Sequence, residues 1–373
     1  MSYRTENLRY QVFDWLRFPL IILVIYNHSL GEPINYSAIQ LTDLTGQNYY
    51  DLLRLSILIL MQIAVPCFFF ISGYLFFNKL RVWNTSVYYE KLKKRAKTIL
   101  LPFLIWNSIC IIYEVQNLYR LDGVWGITSF IEENGYWHLY WDSLSWGHDI
   151  INWLGIKVPL TSPYLGSLWY LQDLMVMMIL SPCFFFLFRY TKVWGLLLLL
   201  TNYVTGMGTN LPGLSTTAIL FYGAGVYFNL NQIDVTKWSW KYRYSIYFLA
   251  VILWIVDVLV LGKHSQTGRF IEPFFVIIGC LAVFNLAAEM IGYGLKIPHV
   301  LAQSSFFIYV SHAVALTGII VRLRQQILGM EDPMLMSFGY IASAWIIAAI
   351  CFVVYILLKG SFPKLCALLA GGR

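Results

Sequence analysis

Charge is scarce in this chain: Asp, Glu, Lys and Arg together make up 12% of its 373 residues, about half the share of an ordinary soluble domain. Polar stretches long enough to fold alone are also missing, because apolar runs able to cross a roughly 30 Å hydrocarbon core recur along nearly the whole length. A separate soluble domain of useful size is thereby excluded. The six cysteines (Cys67, Cys110, Cys183, Cys280, Cys351 and Cys366) are scattered, with no Cys-x-x-Cys pair and no His/Cys cluster at ligand spacing, which argues against disulfides and metal sites. No Gly-x-Ser-x-Gly elbow and no Walker motif occurs, so serine-hydrolase and P-loop machinery have no sequence support. No internal repeat or low-complexity tract appears, which gives no support to an inverted-repeat transporter. The formal net charge of +7 reads as membrane topology and anionic lipid rather than nucleic-acid binding.

What is abundant is apolar sequence, 59% of the chain. It predicts an all-α fold: a polytopic transmembrane helical bundle forming one membrane-embedded domain over residues 1–373, multi-pass in the plasma (inner) membrane. Breaks at charged, Gly or Pro residues mark about ten helices. They are Trp15–Leu30, Leu55–Phe77, Thr98–Tyr113, Leu165–Phe188, Val193–Gly206, Thr216–Leu230, Tyr244–Leu261, Ile271–Tyr293, Val300–Val321 and Met334–Leu358. The run Phe18–Ile25 resembles a signal-peptide core, but Arg17 abuts it and no small-residue cleavage site follows, so it is expected to be retained. Most of the 26 Lys and Arg residues fall on one side of this arrangement, which places both termini in the cytoplasm.

The first helix carries Asp14, Arg17 and His28. At about 100° per residue the step from Arg17 to His28 returns to within roughly 20° of the same face, so the three groups make one stripe. Along it Arg17 and His28 stand roughly 16 Å apart. Ionisable groups inside a bilayer are costly and mark functional sites by default. His28 is the candidate general base, able to take a proton from a hydroxyl attacking an acyl carbon. Asp14 and Arg17 can pair at i,i+3, and the competing roles for the stripe are structural pairing or a proton path. Pro19 leaves a carbonyl unpaired and can bend the helix nearby.

Further polar features follow. Between Lys79 and Lys97 the chain gathers Lys79, Arg81, Lys91, Lys93, Lys94, Arg95 and Lys97 ahead of Pro102, which reads either as an anchor on anionic lipid or as a seat for the phosphates of a nucleotide-like donor. Residues 114–164 face outward and are rich in Trp (Trp125, Trp137, Trp141, Trp146, Trp153), with Glu132, Glu133, His138, Asp142, His148 and Asp149. That pattern suits both an interfacial aromatic belt and stacking on sugar rings. In the ninth helix Ser305, Tyr309 and His312 share a face and form a second polar wall.

Several of these segments resemble the acyltransferase-3 family of integral membrane acyltransferases. The carriers are Phe13-Asp14-Trp15-Leu16-Arg17 followed after ten residues by His28, and Pro66-Cys67-Phe68-Phe69-Phe70-Ile71-Ser72-Gly73-Tyr74-Leu75-Phe76. Lys93-Lys94-Arg95-Ala96-Lys97 before Leu101-Pro102, Leu168-Trp169-Tyr170-Leu171, and Phe307-Ile308-Tyr309-Val310-Ser311-His312 complete the set. The resemblance implies transfer of an acyl group, usually acetyl from cytoplasmic acetyl-CoA, to a hydroxyl of a glycan or other acceptor at the membrane. It implies catalytic parts for Arg17 and His28, with Asp14 as their partner, and donor binding by Lys94, Arg95 and Lys97; Tyr309, His312 and Trp169 are the candidates for substrate binding. The family commonly has two arginines in the basic segment, where this chain has Arg95 and Lys97; Lys keeps the charge but loses the bidentate fork. The expected geometry rests donor phosphates on the basic segment and runs the donor's arm along the Arg17–His28 stripe. Asn27, Tyr309 and Ser72 are candidate oxyanion donors. The rival class is a transporter or exporter of a glycan or proton-coupled solute, and a third is a non-catalytic sensor or assembly partner.

Overall fold

A computed structural model describes residues 2–29, 34, 36, 39, 46–78, 80, 82–143, 149–153, 156–206, 211–262, 265–315 and 332–372, with side chains left out at 2–7, 29, 149–153, 156–160 and 315. Lys79, Arg81, Trp146 and His148 lie outside the described residues, as does the end of the helix expected at Val300–Val321. The fold is helical, as the apolar pattern predicts. Among the described residues four stretches are long and apolar enough to cross a membrane: Gly46–Phe76, Thr85–Asn134, Gln266–Gly292 and Pro333–Ser361. A bent pair, Gly166–Ile179 with Ser181–Thr191, makes a fifth. Shorter helices at Val193–Thr205, Thr216–Leu230, Arg243–Leu259 and His299–Ala315 also fall on predicted segments.

The chain forms two compact units, Met1–Ile71 with Asn231–Tyr355, and Ser72–Leu230 with Ile356–Arg373. In the first, α1 (Ser2–Ser29) packs on α2 (Gly46–Met61) and on two helices from the second half of the chain, α13 (Gln266–Gly292) and α14 (His299–Ala315). The buried side of α1 is apolar, with Phe13, Leu16, Leu20 and Ile25 at most 1% exposed. Phe13 and Phe70 both meet Phe284 edge-on or tilted, with centroids 5.9 and 5.2 Å away. In lipid the helices gain little from apolar transfer, so close packing and interhelical hydrogen bonds hold them together. Tyr26 donates to the Ile341 carbonyl at 2.7 Å, and Trp254 to that of Ser56 at 3.0 Å.

The second unit contains the end of α3 (Ala64–Phe76), α4 (Thr85–Arg95), α5 (Leu101–Asn134), α6 (His138–Trp141), a hairpin of β1 (Asp149–Trp153) and β2 (Ile156–Leu160), α7 (Trp169–Ile179), α8 (Ser181–Thr191), α9 (Val193–Thr205) and α10 (Thr216–Leu230). α11 (Val235–Trp240) and α12 (Arg243–Leu259) belong to the first unit; α15 (Pro333–Ser361) is shared, and α16 (Pro363–Leu369) closes the second.

Prolines mark the breaks. Pro182 removes a helical N–H just after Leu180, where α7 and α8 meet at 58°. Pro102 cannot donate to the Thr98 carbonyl four residues back. There the helix widens into a π turn, Ala96–Leu100, closed by Leu101 N–H on the Ala96 carbonyl. Pro19 sits inside α1, which runs on past it.

The helix expected to stop at Tyr113 continues to Asn134, with a kink at Gly123 (φ 64°). Falling hydropathy ends the apolar run but not the backbone ladder, so this helix extends beyond the predicted span. Asn107, fully buried, then fastens the following segment: its amide donates to the Leu139 carbonyl at 3.0 Å and its oxygen accepts from Leu165 N–H at 2.8 Å.

Candidate functional site

The first polar region is built on α1 and α14. Arg17 and Asp14 form the expected ion pair at 2.9 Å, with side chains 27% and 54% exposed, so the pair lies at the surface of its unit. His28, half-buried, lies eleven residues further along α1. His312, on α14, is fully buried, and its ring centre is 5.3 Å from that of His28, the planes inclined at 44°. Two histidines remote in sequence thus meet within one unit.

The hydrogen bonding of His312 sets its chemistry. Nδ1 lies in hydrogen-bond contact with the Tyr309 carbonyl, which can only accept, so Nδ1 donates. The neutral ring therefore carries its lone pair on Nε2. Among the described residues Nε2 has no hydrogen-bond partner although it is buried. Buried polar atoms are normally satisfied, so this nitrogen stands out as a buried acceptor beside a second histidine.

The two serines of the expected second wall are turned to their own backbone. Ser304 and Ser305 both donate to the Leu301 carbonyl of their own helix, at 3.0 and 2.9 Å. Tyr309 is buried at 6% exposure, and its ring centre is 6.0 Å from that of His312. Asn27 is exposed.

The second polar region lies in the other unit. α4 starts where the Asn84 side chain accepts from Val87 N–H, and its last turns, with the π turn, line a cavity of about 420 Å³. Leu75 and Phe76 supply apolar lining, and Lys91, Lys94 and Arg95 supply three cations; among the described residues no carboxylate lines it. Lys91 donates to the Asn78 carbonyl at 2.8 Å and lies 5.7 Å from the Phe76 ring centre, so its ammonium is positioned at the wall. Lys97 is exposed and does not line the cavity. The candidate donor set is thus divided, with Lys94 and Arg95 on the cavity and Lys97 away from it.

Trp169 opens α7 and is half-buried. The neighbouring Tyr170 hydroxyl is 3.2 Å from that of Ser72. Gly73 serves the packing, since a Cβ there would overlap the carbonyl oxygen of Tyr222 on α10. The Ser-Gly motif thus works through a hydroxyl contact and a close helix crossing. In the 114–164 segment Trp125 and Trp137 are 82% and 86% exposed, while His138 and Asp142 pair through Nδ1 and Oδ1 at 2.6 Å.

Sequence reasoning missed Thr98, Gly371 and Gly372, which also line the cavity. Pro102 was the available signal for the π turn, and the Gly-Gly pair for a helix cap. It also missed Asp257 on α12, fully buried with neither carboxylate oxygen hydrogen-bonded among the described residues. A lone Asp inside an apolar run is the signal that was passed over.

Fold and sites together define a helical membrane protein with a half-buried and a buried histidine paired in one unit and a cationic cavity in the other. A family model described as an acyltransferase domain matches residues 10–358, and the chain belongs to this acyltransferase-3 family of membrane acyltransferases. It is also similar to the succinoglycan biosynthesis protein ExoH of Rhizobium meliloti (strain 1021), 28% identical over 222 residues, covering 57% of this chain and 52% of the relative. The chain spans about half the length of that curated relative. No solved structure matches it.

Proposed function

We propose that this chain transfers an acyl group, acetyl from cytoplasmic acetyl-CoA in the first instance, to a hydroxyl of a cell-surface or lipid-linked glycan at the plasma membrane, with both termini cytoplasmic. The observation that carries the reading is the His28–His312 pair, in which His312 Nε2 has no partner among the described residues. Family membership supports acyl transfer, and the similarity to a succinoglycan biosynthesis protein supports a glycan acceptor.

In this reading His28 takes the acceptor proton as the hydroxyl oxygen attacks the thioester carbonyl. The C–O bond forms, the C–S bond breaks, and the proton passes to the departing thiolate. His312, its Nδ1 committed to the Tyr309 carbonyl, presents a basic Nε2 beside His28 and orients that ring or the hydroxyl. Arg17, held by Asp14, organises charge at the other end of the stripe. Lys94 and Arg95 take donor phosphates, Arg95 through its planar fork; Lys97 contributes long-range charge only, and Trp169 is an acceptor contact.

The test pairs two measurements. Purified protein given acetyl-CoA and acceptor releases free CoA, and His28→Ala stops that release while the protein remains folded. Mass spectrometry of surface glycans from cells with and without the chain then identifies the acyl group by the mass lost. Glycans of unchanged mass would refute the glycan acceptor.

A further inference from the structure

One wall of the cationic cavity carries no charge. After α16 the chain turns back through Gly371 and Gly372, both in the left-handed region at φ 67° and 77°. Gly372 N–H donates to the Ala367 carbonyl at 2.6 Å, a six-to-one closure that needs a left-handed residue at Gly371. The turn is anchored to its own unit: Trp106 Nε1 donates to the Leu369 carbonyl at 3.1 Å, and Cys366 and Ala370 are almost wholly buried. Its two glycines thus enter the cavity wall with no side chain.

Beside them stands Thr98, in the π turn that Pro102 imposes. Its methyl carbon is the nearest atom to where a Cβ on Gly372 would lie, at 3.7 Å. Its hydroxyl is buried and, among the described residues, has no hydrogen-bond partner. π turns recur at functional sites because they displace a side chain from the regular helical path. Here the displaced residue is a hydroxyl donor next to three cations.

We infer that Thr98 and the Gly371–Gly372 turn form the neutral wall of a diphosphate site, Thr98 donating to a phosphate oxygen and the glycines keeping the wall free of side chains. The segment Pro363–Gly372 is then a binding element for the acyl donor and sets its affinity. This rests on reading the cavity as the donor's phosphate seat. The cations supply attraction from a distance; the hydroxyl and the bare wall supply fit.

The test uses the full chain in phosphatidylcholine nanodiscs, with CoA binding followed by calorimetry. Thr98→Val, which keeps the shape and removes the hydroxyl, is expected to weaken CoA about tenfold, and Thr98→Ser to stay within about twofold of wild type. Gly371→Val is expected to weaken it at least as much as Thr98→Val; if that variant does not fold, the two Thr98 variants carry the decision. Unchanged affinity in Thr98→Val, with Arg95→Ala weakened, overturns the inference and leaves the donor reading standing. Absent CoA binding in wild type, or unchanged binding in Arg95→Ala, overturns the donor reading and the inference with it.

Discussion

The histidine pair and the cationic cavity place polar groups in a membrane protein by opposite means. In the first unit the His28 ring meets that of His312, which shares α14 with the wholly buried Phe307, Ile308 and Val310, and a carbonyl contact fixes which nitrogen of His312 is basic. In the second, three cations line a space of about 420 Å³ whose lining, among the described residues, includes no carboxylate. Proton transfer depends on a nitrogen held in one tautomer and one place, where small errors in position are costly. Holding a phosphorylated ligand depends on charge and room, and tolerates flexible side chains. On the proposed function the comparison therefore separates a region of chemistry from a region of capture, and a variant in one should spare the other.

The largest separation is expected at the histidines. His28→Ala should lower turnover about a thousandfold, on the order of 4 kcal/mol in the barrier, while CoA affinity stays within about twofold. His312→Ala should also lower kcat, by about a hundredfold, since the proposed mechanism uses Nε2 beside His28 rather than in its place. Stopped-flow release of CoA and equilibrium binding check both. Loss of CoA affinity in either histidine variant would erase the distinction between the regions.

Gly73→Ala comes next and tests packing in place of chemistry. The added Cβ would collide with the Tyr222 carbonyl, so α3 and α10 must move apart. Overpacking of this kind costs about 1–3 kcal/mol, and it should appear as a lower unfolding temperature in detergent. A stable variant with lost turnover would instead give the Ser-Gly motif a direct catalytic part.

How far these regions could be read from sequence follows from their physics. Helix positions were legible because apolar runs ending at Gly, Pro or charge carry their own periodicity; Thr216–Leu230 has the same limits in both. The Asp14–Arg17 pair was legible because i,i+3 neighbours on a helix must meet. The meeting of His28 with His312 was not, since no local rule brings α1 against α14. Nor was the hydrogen bonding of Ser305, since a serine inside a helix often donates to its own backbone, as here to Leu301. The cavity was half legible. Clustered cations gave Lys94 and Arg95, whereas Thr98 depends on a π turn, and Gly371 and Gly372 on a fold-back that charge patterning does not register.

Within the basic segment the comparison sharpens to single residues. Arg95→Ala should raise the donor KM about tenfold, near 1.4 kcal/mol, with kcat little changed. Because the attraction is partly ionic, the donor KM of wild type should rise with salt more steeply than that of the variant. Arg95→Lys should recover part of the loss, since Lys restores charge without the fork.

Lys97 is expected to give the smallest effect, and it is the most discriminating. It is two residues from Arg95 and carries the same charge, so a reading based on net positive charge at an anionic membrane surface makes the two equivalent. The structure makes them unequal: Arg95 lines the cavity, whereas Lys97 is exposed away from its lining. At exposed separations beyond a few ångströms a single charge contributes a few tenths of a kcal/mol, and salt screens it. Lys97→Ala should therefore shift the donor KM by less than about twofold at roughly 0.15 M salt, and the difference should vanish at higher salt. Equal losses in Arg95→Ala and Lys97→Ala would mean that the segment acts as a diffuse surface charge, and the contrast between a region of chemistry and a built site of capture would reduce to a contrast between a site and a membrane anchor.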